Sequence, residues 1–173
     1  QAHDADRRIY LFDPKLQANF EELDPTESYA AAYNSIPAYD EDEESKLLGM
    51  LAMPNKTLCQ CLWFLLENRH WTAPSTFSEY TGLHENYHGK IKKDQYNNMG
   101  TDVLMAICIG LQLRLWLIEQ VFEKSQNKLT RYQDPDKTYI RILERFPGVT
   151  LNDFNGMLTA AKLPELGTKG KDS

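Results

Sequence analysis

The run His84-Glu85-Asn86-Tyr87-His88 is, letter for letter, the His-Glu-x-x-His pattern of zinc peptidases. On a helix, residues four apart share a face. Both imidazoles would then hold one Zn²⁺, with Glu85 as general base. The surroundings weigh against that chemistry. Metallopeptidases carry the pattern inside a long, mostly apolar helix, whereas Gly82 precedes it here and Gly89 follows at once. Lys90, Lys92 and Lys93 come next, and cations beside a divalent ion raise its electrostatic cost. Ile91 stands where the extended form of the motif has Gly, and neither Glu119 nor Glu123 is singled out as a third ligand. Zinc catalysis through His84, Glu85 and His88 is therefore the least favoured of three readings. No catalytic residue, metal or cofactor is expected.

The other reactive side chains are less suggestive still. Cys59 and Cys61 are two apart in a helical pattern and point to different faces, so with Cys108 they read as buried thiols. Three cysteines give no disulfide framework and point to a reducing, cytoplasmic compartment. No Gly-rich phosphate loop or nucleophile elbow occurs. Trp63, Trp71 and Trp116 read as core or interface.

The elements that must position these residues are helical from Lys56 onward. Leu58, Leu62, Leu65 and Leu66 recur at helical spacing, so Thr57 to Arg69 reads as an amphipathic helix. Thr76 stands three residues before Glu79, a capping-box spacing, and a short helix from Phe77 to Thr81 stops at Gly82. A third helix runs from about His84 to Lys93. A fourth is capped by Thr101 and carries Val103, Leu104, Ile107 and Leu111, with Gly110 near its end. Arg114 to Gln126 continues helical. Asp134-Pro135 offers a cap and a first helical position for a segment burying Tyr139, Ile142, Leu143 and Phe146. Thr150 with Asp153 starts a last helix carrying Phe154, Met157, Leu158 and Ala161. Earlier in the chain, Ile9 to Phe12 reads as a short strand and Thr26 to Asn34 as a short helix. The fold class is all-α.

Two short helices hinged on Thr81-Gly82-Leu83, with a helix before and one after, form the pattern of a helix-turn-helix. Phe77 anchors the first helix, Ser78 lets the two cross closely, Leu83 packs beneath the turn and Ile91 anchors the second. The second helix then exposes His84, Glu85, Asn86, Gly89 and Lys90, followed by Lys92 and Lys93. In such a motif that part enters the major groove of DNA.

On these residues the chain resembles the Cro/repressor-type (Xre-like) helix-turn-helix proteins of bacteria and their mobile elements. The resemblance covers residues 55–168. It rests on Thr76-Phe77-Ser78-Glu79-Tyr80-Thr81-Gly82-Leu83, on Ile91-Lys92-Lys93, and on the run from Val103 to Leu113. The stretch Leu163-Pro164-Glu165-Leu166-Gly167 is similar to a C-terminal helical extension of some Firmicutes members. The resemblance implies a lambda-repressor-like bundle with extra C-terminal helices, acting as a homodimer on double-stranded DNA. It implies base-edge contacts from His84, Glu85, Asn86 and Lys90, and phosphate contacts from Lys92, Lys93 and Thr76, with Tyr96, Asn97 and Asn98 nearby. Two positions depart from the family pattern. His88 replaces an aliphatic core residue, and Gly89 removes a side chain from the reading face. The rival reading keeps the scaffold but binds protein, as an anti-repressor or adaptor would.

Charge bears on both readings. The 173 residues carry a formal net charge of −6, which by itself speaks against nucleic acid. Residues 1–54 hold 12 acids and 4 bases, however, while the remaining 119 hold 13 acids and 15 bases. The domain organisation follows this split: an irregular acidic arm over 1–54 (a regulatory segment with its own protein partner), a helical body over 55–168, and a frayed tail over 169–173. The acidic run from Asp40 to Glu44 reads as a solvated linker. No 18-residue apolar run exists, so no membrane partner is expected.

Overall fold

The computed structural model describes residues 40–167. The short strand and helix expected before Asp40, and the tail from Lys169 to Ser173, lie outside the described residues. Among those described, eight helices and no strand are found: α1 (Glu41–Leu51), α2 (Leu58–Asn68), α3 (Pro74–Thr81), α4 (Asn86–Lys92), α5 (Thr101–Gly110), α6 (Leu115–Ser125), α7 (Asp136–Arg145) and α8 (Leu151–Ala160). The domain is all-α.

The bundle is built around α5. From Leu104 to Gly110 every residue of that helix is buried, which is what a helix apolar on all sides requires. On one side α3 and α8 pack against α5, and on another α6 does. Helices α2 and α4 form a layer beside α3, and α1 closes over α2 and α6. One continuous apolar cluster runs from Leu47 on α1 through Leu62, Phe77, Ile107 and Phe122 to Phe154 and Leu166.

Several starts and stops follow directly from local chemistry. Thr57 caps α2 by accepting the Gln60 N–H at 3.1 Å, and Gln60 Oε1 returns the bond to the Thr57 N–H at 3.0 Å. Thr150 caps α8 through the Asp153 N–H. Gly82 ends α3 with φ +72°, a left-handed conformation that glycine adopts without Cβ strain.

Other expectations are corrected. Helix α3 begins at Pro74, not Phe77. Proline's fixed φ and missing N–H suit the first helical position, and Thr76, inside the first turn, makes no cap bond. Gly100, not Thr101, precedes α5, and Pro135, not Asp134, precedes α7.

The larger correction concerns the acidic run. Residues 41–51 are neither irregular nor a solvated linker. Asp40 accepts the Glu43 N–H at 3.0 Å as the cap of α1, and the acids that follow sit where a helix N-terminus favours negative charge. Leu47 enters the core, so the helical body begins at least fourteen residues before the boundary expected at residue 55. Glu43, only 5% exposed, accepts from Arg69 Nε and Nη2 and from Asn68 Nδ2, each at 2.8 Å. Arg69 Nη1 also donates to the Leu111 carbonyl at 2.8 Å. A single guanidinium thus ties α1, the end of α2 and the end of α5 together.

Breaking a buried ion pair leaves the surviving charge uncompensated. Glu43→Ala is expected to cost about 3 kcal/mol in urea unfolding. Asp42→Ala, which removes an exposed pair with Lys46, is expected to cost less than about 0.5 kcal/mol. Equal costs would mean that α1 is not held by this pair.

Candidate functional site

The short helix α4 carries most of the side chains singled out from the sequence, and it is seated along α2. Near its start, His88 is 3% exposed and its Nε2 donates to the Trp71 carbonyl just beyond the end of α2, at 2.9 Å. Its ring packs edge-on against Trp63 at 5.1 Å and Phe77 at 5.7 Å between centroids. Beyond the other end of α4, Asp94 accepts the Thr57 hydroxyl at 2.7 Å and the Asn97 side-chain amide at 2.8 Å. Asn97 Oδ1 accepts the Cys59 N–H at 2.8 Å, so the loop after α4 satisfies an open donor at the start of α2. The bonds from Asn97 and Thr57 hold the Asp94 carboxyl below its ordinary range. Helix α4 therefore lies antiparallel to α2 and is fixed at both ends.

This geometry divides the His-Glu-x-x-His run. His84 and Glu85 precede α4, which begins at Asn86 rather than His84 and ends at Lys92 rather than Lys93. His84 is exposed, and its Nδ1 accepts the Asn86 N–H at 3.1 Å. His88 points into the aromatic core. The two imidazoles do not share a face, and among the described residues no group of three His, Cys, Asp or Glu is placed to hold a metal ion. The thiols do not supply one either: Cys59, Cys61 and Cys108 are buried and unpaired, and burial pushes all three up.

The remaining predicted residues separate into those brought together and those not. Asn86, Lys90, Lys92 and Lys93 are exposed on or just after α4, with His84 and Glu85 exposed at its entrance. Lys90 Nζ lies 5.6 Å from the ring centroids of both Tyr87 and Tyr96, and those rings stand 5.5 Å apart. Lys92 Nζ lies 5.8 Å from the centroid of Trp63. These contacts order the ammonium groups without neutralising them. Lys93 has no partner among the described residues. Thr76 is half-buried in the first turn of α3, away from the lysines in sequence and on a different helix. Asn97 is not free to meet a phosphate, because both ends of its amide are committed to Asp94 and Cys59.

Residues that sequence reasoning missed are the ones that hold α4 in place. Trp71 serves through its carbonyl, which no side-chain pattern advertises. Asp94 and Asn97 are three apart just after a lysine-rich helix, a polar pair that had a readable capping signal but whose target lies 37 and 38 residues away.

No family model, curated protein or solved structure matches the chain.

The two histidines have unequal expected effects. His88→Ala empties an aromatic-lined site and orphans the Trp71 carbonyl, which should cost about 2–4 kcal/mol. His84→Ala should change stability by less than about 0.5 kcal/mol, and excess zinc should stabilise neither variant nor the parent chain. Stabilisation by zinc that disappears in His84→Ala would restore the metal reading.

Proposed function

We propose that this chain is a DNA-binding transcriptional regulator of the Cro/repressor (Xre-like) type, cytoplasmic and without catalytic chemistry. The observation that carries the reading is the division of α4. His88 and Ile91 are buried, while Asn86, Lys90 and Lys92 face solvent on a helix anchored at both ends and Lys93 does so just after it. Helix α3, the left-handed turn at Gly82 and α4 supply the two helices and hinge that a helix-turn-helix uses, with α2 before and α5 after.

In this reading α4 lies in the major groove. Asn86 can donate to and accept from adenine, and Lys90 can donate to guanine. Exposed Glu85 accepts from cytosine N4–H and repels phosphate, which restricts how α4 approaches the duplex. Lys92 and Lys93 neutralise phosphates and set the register. Thr76 belongs to the same interface only if the duplex backbone crosses the start of α3. Two copies would meet half-sites about 34 Å apart, one helical turn.

One observation favours the rival, a protein-binding module on the same scaffold. Trp116 is 44% exposed at the start of α6 and Tyr132 is 87% exposed in the loop before α7. Large exposed aromatics are the usual anchors of protein interfaces. Neither residue lies on α4, so a regulator that binds both DNA and a protein partner accommodates them.

Salt dependence separates the readings. The full chain should bind duplex DNA at low salt, with log K falling against log [salt] by about 0.9 per phosphate neutralised. Lys92→Ala combined with Lys93→Ala should reduce that slope by about 2. Asn86→Ala should leave the slope unchanged and relax sequence preference at one position, by about 1–3 kcal/mol of discrimination. No DNA affinity at low salt would favour the protein-binding module, and an unchanged slope in the lysine double variant would remove α4 from the interface.

A further inference from the structure

An open cleft of about 320 Å³ lies where the last turn of α3, the end of α5 and the start of α8 meet. Its size is at the lower end of small-molecule sites. Gly110 lines it, and a Cβ at that position would stand 2.8 Å from the Tyr80 carbonyl oxygen, so glycine is what lets α3 and α5 close together there.

Part of the polar lining is uncommitted. Glu79 and Asn152 line the cleft, and neither side chain has a hydrogen bond or ion pair among the described residues. Gln112 spends its amide N–H on the Gly148 carbonyl at 2.8 Å, which leaves its Oε1 as an acceptor. The start of α8 is already satisfied in part, through the Thr150 cap and Asp153 in the first turn. The cleft therefore combines the Glu79 carboxylate and the open Gln112 Oε1 with the Asn152 amide, which can donate or accept.

Two of its walls also seat the turn between α3 and α4. The Leu151 Cδ2 is 3.1 Å from the point where a Cβ on Gly82 would stand, and the Gly167 Cα is 3.3 Å from it. Gly167 is held there by Asn155, whose amide donates to the Leu166 carbonyl at 3.0 Å and accepts the Leu166 N–H at 2.8 Å. A ligand in the cleft would touch Leu151 and Asn155 on one side, and the turn rests on the same residues or their partner on the other.

We infer that this cleft binds a compact organic cation, an ammonium, amidinium or guanidinium group received by Glu79 and Gln112, and that Leu151 and Asn155 transmit its occupation to the α3–α4 turn. The site stands independently of DNA binding. Its test reads the protein alone. The full chain, labelled with ¹⁵N, is titrated with benzamidine and, separately, with its neutral isostere benzamide. Benzamidine should give saturable shifts at the Glu79 and Asn152 amides, and matching shifts at Gly82 and Gly167. Glu79→Gln, at an exposed position, should keep the spectrum of the fold and weaken benzamidine by about tenfold or more, the effect of losing one charge-assisted hydrogen bond. Non-saturable shifts, equal response to benzamide, or unchanged affinity in Glu79→Gln would overturn the site. Saturable binding that leaves the Gly82 and Gly167 amides unmoved would overturn the transmission.

Discussion

A seven-residue helix has too few internal hydrogen bonds to offset the cost of its own nucleation. The functional reading of this chain places its chemistry on such a helix, so everything depends on what holds α4 from outside. Three contacts do so. The His88 ring donates to the Trp71 carbonyl within an aromatic enclosure. The Asp94–Asn97 pair clasps the opposite end to the start of α2. The turn before α4 is packed at Gly82 against Leu151 and Gly167. With its inner face fixed, α4 presents its lysines and Asn86 as a preorganised surface, and binding need not order the helix first.

The same constraint explains why one pentapeptide supports two incompatible sequence readings. A zinc site needs both histidines on one face. A seated helix needs an apolar or hydrogen-bonded residue pointing inward, and His88 fills that place. Its buried nitrogen is satisfied by a backbone carbonyl, which is how a polar ring is tolerated in a core. Helix α4 starting at Asn86 rather than His84 removes His84 from that helical register altogether.

Much of the fold was legible where the signal is local. The leucines of α2, the Thr150 cap, the stop at Gly82 and the apolar run of α5 each act within a few residues of themselves. The acidic run from Asp40 to Glu44 was not legible, because five successive acids look the same in a linker and in a helix's first turn. What distinguishes them is Arg69, 26 residues on, receiving Glu43. Within the candidate site, the exposed residues could be named from their spacing. The seat could not, since a main-chain carbonyl and a pair of side chains capping a distant helix leave no periodic trace. Charge follows the same lesson: a net −6 says little once the acids are found on α1 and before it, and the lysines on α4.

Lysine protection shows whether the outer face of α4 meets DNA. The full chain is acetylated with and without duplex DNA at low salt, and modification is read by mass spectrometry at each lysine. With α4 in the groove, Lys90, Lys92 and Lys93 are protected, while exposed Lys128 and Lys162 react as freely as before. Protection spread evenly over all five, or confined to Lys128 and Lys162, would contradict that placement.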